Sequence, residues 1–470
     1  MSGSRSEGTS DAAVRHRWSE SARFLPRLVV QPTQRFMDSN TSGAIVMLAA
    51  AVLALVLANT PWGAGYERLW GAEVSLGVGS LDGLSGLTLR EWVTDGAMAF
   101  FFFVVALEIK REMVSGDLRD PRAAALPILA AVGGMVVPAL LYLSLNGGGP
   151  AEHGWGVPMA TDIAFAVAVV TAAGPRVPAG ARLFLLTLAI VDDLGAIAVI
   201  AVFYTSGLSL VWLLAAVATM AAGYALQRVH VRALLPYAVL AAGCWYALHE
   251  SGVHATIAGV AFGFLTPAWS FYDPRWFPRY VKRVVAPVEE VYADDVLSHR
   301  EYAVTQNAVR DMRRLAVETQ APLDRLESAL TPWVTFVVVP LFAFANAGLV
   351  LPDNALTAWV TDDVALGVVL GLVLGKTVGV FGVTWLAIRA RIGVLPPGTT
   401  WRHILGVAMT AGVGFTVALF VGELAFSDPT QGESAKLGIF VGSAISGVLG
   451  FMVLRSGKPP ADPPPDPASR

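Results

Sequence analysis

The sequence predicts an all-α polytopic membrane protein of about twelve transmembrane helices, carrying inverted repeats, two broken crossing helices and a small external β-hairpin. Three observations predict it. Of 470 residues, 55% are hydrophobic and only 15% are charged, where a soluble domain carries about 25% charged residues. Apolar runs of membrane-crossing length recur along the chain. Lysine and arginine concentrate in every second connecting segment, as cytoplasmic loops require. The net charge of −3 argues against a nucleic-acid partner, and a single cysteine, Cys244, excludes an intramolecular disulfide and any Cys-cluster metal site.

Twelve spans are read at 43–60, 92–107, 123–146, 154–174, 183–204, 209–226, 233–248, 253–269, 331–351, 364–388, 403–426 and 437–454. The second and seventh are short. With the N-terminus inside, the inside segments hold 29 of the 33 cations, and the outside segments hold Arg68, Arg90 and Lys436. Lys376 is the one cation left, and it falls within a span. A miscount by one span would scramble this alternation, so both termini are expected in the cytoplasm. Residues 1–40 form a polar, basic cytoplasmic tail without the apolar core of a cleavable signal.

The transmembrane domain covers 41–456. Its longest outside loop is 61–91, where alternation in Ala72-Glu73-Val74-Ser75-Leu76-Gly77-Val78, a Gly/Asp turn and Leu87-Thr88-Leu89 suggest the hairpin. The inside loop 270–330 holds nine basic and ten acidic residues, and its 301–320 part reads as a surface helix. The proline-rich tail 457–470 is expected to be disordered.

Ionisable groups at membrane depth cost several kcal/mol and mark functional sites. Here they are Asp95, Asp162, Asp192, Asp193, Lys376 and, nearer a span end, Glu423, with Glu108 and Glu112 where the second span meets the cytoplasm. Lys376 stands near the middle of its run, roughly 18 Å from either end. Its stem cannot snorkel that far, so it needs a buried partner, naturally a carboxylate. Asp192 and Asp193 are neighbours, and neighbouring helical positions point about 100° apart. One is therefore expected to pair with Lys376 while the other faces a water-filled cavity.

Pro158 and Thr161 beside Asp162 suggest an interrupted helix in the fourth span. Gly412, Gly414, Phe415 and Thr416 suggest a second interruption in the eleventh. Spans three to five and ten to twelve then correspond, each with a broken middle helix, and paired interruptions point to a transporter binding site.

Several ordered stretches resemble the NhaA family of bacterial sodium/proton antiporters, itself one of the type cases of that repeat architecture. They are Ala160-Thr161-Asp162-Ile163-Ala164-Phe165-Ala166, Ile190-Val191-Asp192-Asp193-Leu194-Gly195-Ala196-Ile197, Ser251-Gly252-Val253-His254-Ala255-Thr256, Pro340 through Gly348, Gly375-Lys376, and Trp92 through Met113. The resemblance runs from about 35 to 455. It implies export of cytoplasmic Na+ or Li+ against two external protons, driven by the proton gradient and membrane potential and regulated by pH. Transported ions, with no cofactor, are what it entails. Asp193 is implied as the principal cation ligand, Asp192 as the partner of Lys376, and Asp162 with Thr161 as residues of the crossing. There Asp162 would offset the positive half-helix N-termini and Lys376 the negative C-termini. Glu108, Glu112 and His254 fall where the family has residues implicated in pH response. A homodimer through the external hairpin is also implied.

The sequence departs from the family in three places: the long 270–330 loop, the extended tails, and Thr377 where the family often has proline. The first two bear on regulation and partner binding rather than on the chemistry. An intramembrane aspartyl protease also needs two buried aspartates, but on separate helices and in a Gly-x-Gly-Asp motif that this chain lacks. A channel needs no titratable acids paired with a lysine.

Overall fold

Inside a bilayer no water is available to backbone N–H and C=O groups, so spanning segments satisfy themselves as helices. A computed structural model of the chain, describing residues 41–74, 86–205, 207–229, 231, 233–270, 272–289, 299–352 and 355–456, follows that rule. The described residues form helices and connecting turns, with one isolated antiparallel bridge between Glu73 and Thr88.

In chain order the helices are α1 (Ser42–Ala58), α2 (Gly63–Trp70), α3 (Leu89–Val114), α4 (Pro121–Asn146), α5 (Ile163–Ala172), α6 (Ala179–Phe203), α7 (Leu210–Arg228), α8 (Leu234–Ser251) and α9 (Ile257–Leu265). There follow α10 (Phe277–Glu289), α11 (His299–Thr319), α12 (Pro322–Asn346), α13 (Ala355–Thr361), α14 (Asp363–Arg389), α15 (Trp401–Thr410), α16 (Phe415–Ala425) and α17 (Pro429–Arg455). A 3₁₀ segment, Glu152–Met159, leads towards α5.

Local sequence sets several of these starts. Asp120, Asp362 and Asp428 each cap a helix by accepting a backbone N–H, from Arg122 (3.0 Å), Ala365 (2.8 Å) and Thr430 (3.0 Å). Pro121 and Pro429 occupy first helical positions, where the missing N–H costs nothing. Thr88 and Glu91 close a capping box at the start of α3. Gly252, at φ 81°, ends α8 in the left-handed conformation that glycine adopts without penalty.

Among the described residues, eight helical stretches are long and apolar enough to cross a membrane, or up to ten if each of two bent pairs counts as one. The bent pairs are α1 with α2, at 117°, and α15 with α16, at 45°. Two of the twelve expected spans fall short. In α8 the polar end His249-Glu250-Ser251 dilutes an 18-residue helix, and α9 has only nine residues. The expected surface helix at 301–320 is present as α11, and it packs against α10. At the expected hairpin, Val74 N donates to Leu87 O and Leu89 N donates to Ala72 O, each at 2.9 Å. The stretch 75–85 lies outside the described residues, as do the tails 1–40 and 457–470.

The centre of the bundle is α6 and α14, each 61% buried over its most apolar stretch, whereas α7 is 11% buried and peripheral. α14 runs antiparallel to α4 at very close range. A carbon added at Gly379 would lie 2.2 Å from the Gly133 carbonyl oxygen, and one at Gly375 would lie 2.7 Å from Pro138 Cα. Small residues at such a seam let membrane helices approach to backbone contact. Among the described residues, three π-helical turns interrupt the spans, at Trp92–Ala97, Val334–Val338 and Gly371–Gly375. π turns cluster at functional positions, and the third ends immediately before Lys376.

The seam gives a test with an internal control. Gly379→Val forces α4 and α14 apart, and overpacking of this kind costs about 1–3 kcal/mol. Gly382→Val, on the same helix, meets open space. In detergent the first variant should melt at lower temperature than the second, and equal melting would contradict the close seam.

Candidate functional site

The site begins where two helices stop. Between the 3₁₀ segment and α5, residues 160–162 are extended; between α15 and α16, residues 411–414 leave the helix. Each break frees backbone groups at depth, and the two stretches satisfy one another. Asp162 N donates to Val413 O at 2.7 Å, and the Thr161 hydroxyl donates to Ala411 O at 2.8 Å. The Asp162 carboxylate serves both half-helix N-termini. One oxygen accepts Phe165 N at 3.2 Å, at the start of α5. The other accepts Thr416 N at 3.1 Å and the Thr416 hydroxyl, at the start of α16. A negative group there also meets the positive ends of two helix dipoles. Thr161, Asp162 and Thr416 are buried, at 0%, 3% and 3% exposure.

Ser443 is a member of this arrangement that the sequence reading did not single out. Its Oγ, on α17, lies 3.3 Å from both Gly414 N and Phe415 N and accepts from each. The available signal was a stripe of small residues at intervals of four, Gly438, Gly442, Ser446 and Gly450, which marks the packed face of α17.

Asp192 and Asp193 sit mid-way along α6, both buried. Lys376 Nζ donates to Asp192 Oδ2 at 2.6 Å, with both side chains fully buried. Asp192 Oδ1 has no hydrogen-bond partner among the described residues. Asp193 receives no hydrogen bond from a described residue, yet the charges of Asp192, Glu108, Asp162 and Lys376 all act on it. With Asp162, Asp192, Asp193 and Lys376 ionised, three carboxylates face one ammonium. A surplus of buried negative charge is relieved by taking up a cation or a proton. Asp193 is the carboxylate that no bond already holds.

The residues expected to respond to pH fall in two places. Glu108 and Glu112 lie near the C-terminal end of α3 beside Arg111, which pairs with Glu327 of α12 and lies 3.6 Å from Glu112. There Lys110 Nζ donates to Phe264 O and Thr266 O, at 2.6 Å each. His254 is elsewhere. α9 runs parallel to α3, with Gly259 against Ala99 and Gly263 against Ala106. His254, which precedes α9, is therefore near the start of α3, roughly 20 Å along the helix from Glu108 at 1.5 Å per residue. The backbone of Tyr204 is near its side chain.

A family model described as Na+/H+ antiporter 1 matches residues 34–454. Among similar proteins, the Na(+)/H(+) antiporter NhaA of Syntrophobacter fumaroxidans is 43% identical over 93% of this chain and 93% of its own length. The Na(+)/H(+) antiporter NhaA 2 of Sorangium cellulosum is 44% identical over 94% and 93%. The NhaA of Koribacter versatilis is 39% identical over 96% and 98%.

Removing one member of a buried ion pair leaves the other uncompensated, at a cost of about 3–5 kcal/mol, while removing both costs far less. Lys376→Ala should therefore lower the melting temperature sharply, and the Lys376→Ala/Asp192→Ala double variant should regain part of the loss. Strictly additive effects in this cycle would mean that the two groups are not coupled.

Proposed function

The chain belongs to the Na+/H+ antiporter 1 family, and from that premise we propose that it exchanges one cytoplasmic Na+ or Li+ for two external protons, with Asp192 and Asp193 as the cation and proton site and Asp193 as the principal cation ligand. The supporting observation is the division of labour among the buried acids. Asp162 is occupied by the half-helix N-termini, Asp192 by Lys376, and Asp193 by nothing the described residues supply.

In this reading Asp193 is the principal ligand of a dehydrated cation, and Asp192 contributes its unpartnered oxygen. Thr161 and Asp162 hold the crossing, so that polar backbone is present at the depth where the cation sheds water. Lys376 keeps the empty site from carrying the full charge of three acids. A cation or protons then occupy the same carboxylates in turn, which makes the exchange obligatory. Exchange of two charges for one moves net charge, so the process is electrogenic. Adjacent acids on one helix, one of them already bound to a lysine, do not form the convergent dyad of a protease.

The finer architecture belongs to the same proposal. Twelve spans place both termini in the cytoplasm, and spans three to five mirror spans ten to twelve. The transmembrane domain covers 41–456, between a cytoplasmic tail at 1–40 and the tail at 457–470. A homodimer forms through the external segment around Glu73 and Thr88. Glu108 and Glu112, at the cytoplasmic end of α3, and His254, near the other end, adjust activity to pH from opposite sides of the membrane.

Asp193→Asn offers a weaker oxygen and no titratable proton. In proteoliposomes carrying an imposed proton gradient, added Na+ should dissipate the gradient with the unmodified protein and fail to do so with this variant, while the melting temperature stays near the unmodified value. Undiminished exchange by Asp193→Asn would overturn the assignment.

A further inference from the structure

α10 and α11 form a helical hairpin that leaves the bundle after α9 and returns at α12. Its base is clamped by two backbone bonds: Leu323 N donates to Pro267 O at 3.1 Å, and Tyr272 N donates to Glu318 O at 3.2 Å. The base therefore stands at the ends of two helices that reach the membrane surface. α10 is two-sided. Tyr280, Val281, Val284 and Val285 are half-buried on the side towards α11. The opposite side exposes Arg279, Lys282 and Arg283, and Arg313 is exposed on α11.

These four cations have no carboxylate partner among the described residues. Of the nearby described carboxylates, Asp273 holds Arg275 at 2.6 Å and Glu318 lies 3.6 Å from Arg314, while Asp311 is exposed on α11. Arg279 stacks over the ring of Trp276, 4.4 Å from its centroid. Trp276 is 46% exposed, and Trp269, just past α9, is 68% exposed. Exposed tryptophan is costly in bulk water but favoured at a membrane–water boundary, where its ring and its N–H are both accommodated. Lys282 is five residues past Phe277, the first residue of α10, about 7.5 Å along that helix. A long basic side chain and a Debye length of about 8 Å bring that distance within reach of headgroups.

We propose that the exposed basic face at the base of the α10–α11 hairpin binds the phosphates of anionic phospholipids, with Trp269 and Trp276 seated at the boundary. A cationic stripe that served only to orient the chain during insertion would need neither a folded amphipathic helix nor tryptophans beside it. Charge complementarity fixes the occupant: anionic headgroups attract juxtamembrane cations, whereas phosphatidylcholine carries no net charge. Bound there, lipid would tie the hairpin to the membrane plane. The inference rests on the chain spanning a membrane and not on the exchange mechanism.

Photoactivatable lipids test it. The full chain is reconstituted with photoreactive phosphatidylglycerol or with photoreactive phosphatidylcholine, and labelled peptides are mapped. Peptides spanning 276–288 should be labelled preferentially by the anionic lipid. Arg279→Gln/Lys282→Gln/Arg283→Gln should lose that preference, by about fivefold for each cation at the surface. Arg279→Lys/Arg283→Lys should keep it, and Na+-driven proton flux in zwitterionic vesicles should be the same for all three proteins. Equal labelling by both lipids would show contact without charge recognition, and absence of labelling would leave the face to a soluble acidic partner. Either outcome would overturn the proposal.

Discussion

Backbone groups that leave helical pairing inside a bilayer must find partners in the protein, and here two short non-helical stretches find them chiefly in each other. That mutual dependence fixes the centre of the molecule. Residues 160–162 and 411–414 are joined by Asp162 N to Val413 O and by the Thr161 hydroxyl to Ala411 O. Neither stretch alone could supply those bonds. The Asp162 carboxylate then binds amides at the start of both following half-helices, and Ser443 accepts two more at the start of α16. A single serine on α17 thereby ties the crossing to the helix behind it. The close α4–α14 seam delivers Lys376 to the same depth, one residue past a π turn.

What the crossing and the seam produce is an uneven distribution of partners among four buried charges. Asp162 has several donors and Asp192 has a lysine at 2.6 Å, but Asp193 has none among the described residues. Burying an ion pair contributes little net stability, because desolvation offsets most of the attraction. The value of the pair here is selective. It occupies one oxygen of Asp192 and leaves the adjacent Asp193 with no hydrogen bond from a described residue.

Much of this centre was legible in the sequence because depth makes charge conspicuous. Lys376 could not snorkel, adjacent acids could not point the same way, and proline, glycine and threonine beside Asp162 and before Thr416 signalled breaks. The structure brings those residues to one place. The roles of Asp193 and of the pH-response residues rest on the family and on chemistry. Other features were hidden for physical reasons. The apolar runs at 233–248 and 253–269 were read as full spans, but hydropathy does not show where a helix stops: α8 ends in His249-Glu250-Ser251 and α9 has only nine residues. The three π turns leave no mark in hydropathy, since an extra residue per turn changes direction and not composition. Ser443 looked like one more small residue on a packed face, and its hydrogen bonds depend on a break 28 residues away. His254 and Glu108 appeared as members of one group by resemblance, yet they lie near opposite ends of α3.

The central claim is that Na+ and protons compete for the Asp193 carboxylate, and the most direct test is Na+-induced proton release from detergent-solubilised protein in weakly buffered solution across a range of pH. Linkage at one site is reciprocal. Where the site is mostly protonated, apparent Na+ affinity should rise about tenfold per pH unit for each competing proton, then level off once the carboxylate is ionised. Over the lower part of that range each Na+ bound should expel protons, and Asp193→Asn should release none. A Na+ affinity that stays flat from acid to alkaline pH, with no protons released on binding, would mean separate sites and would contradict shared-site exchange.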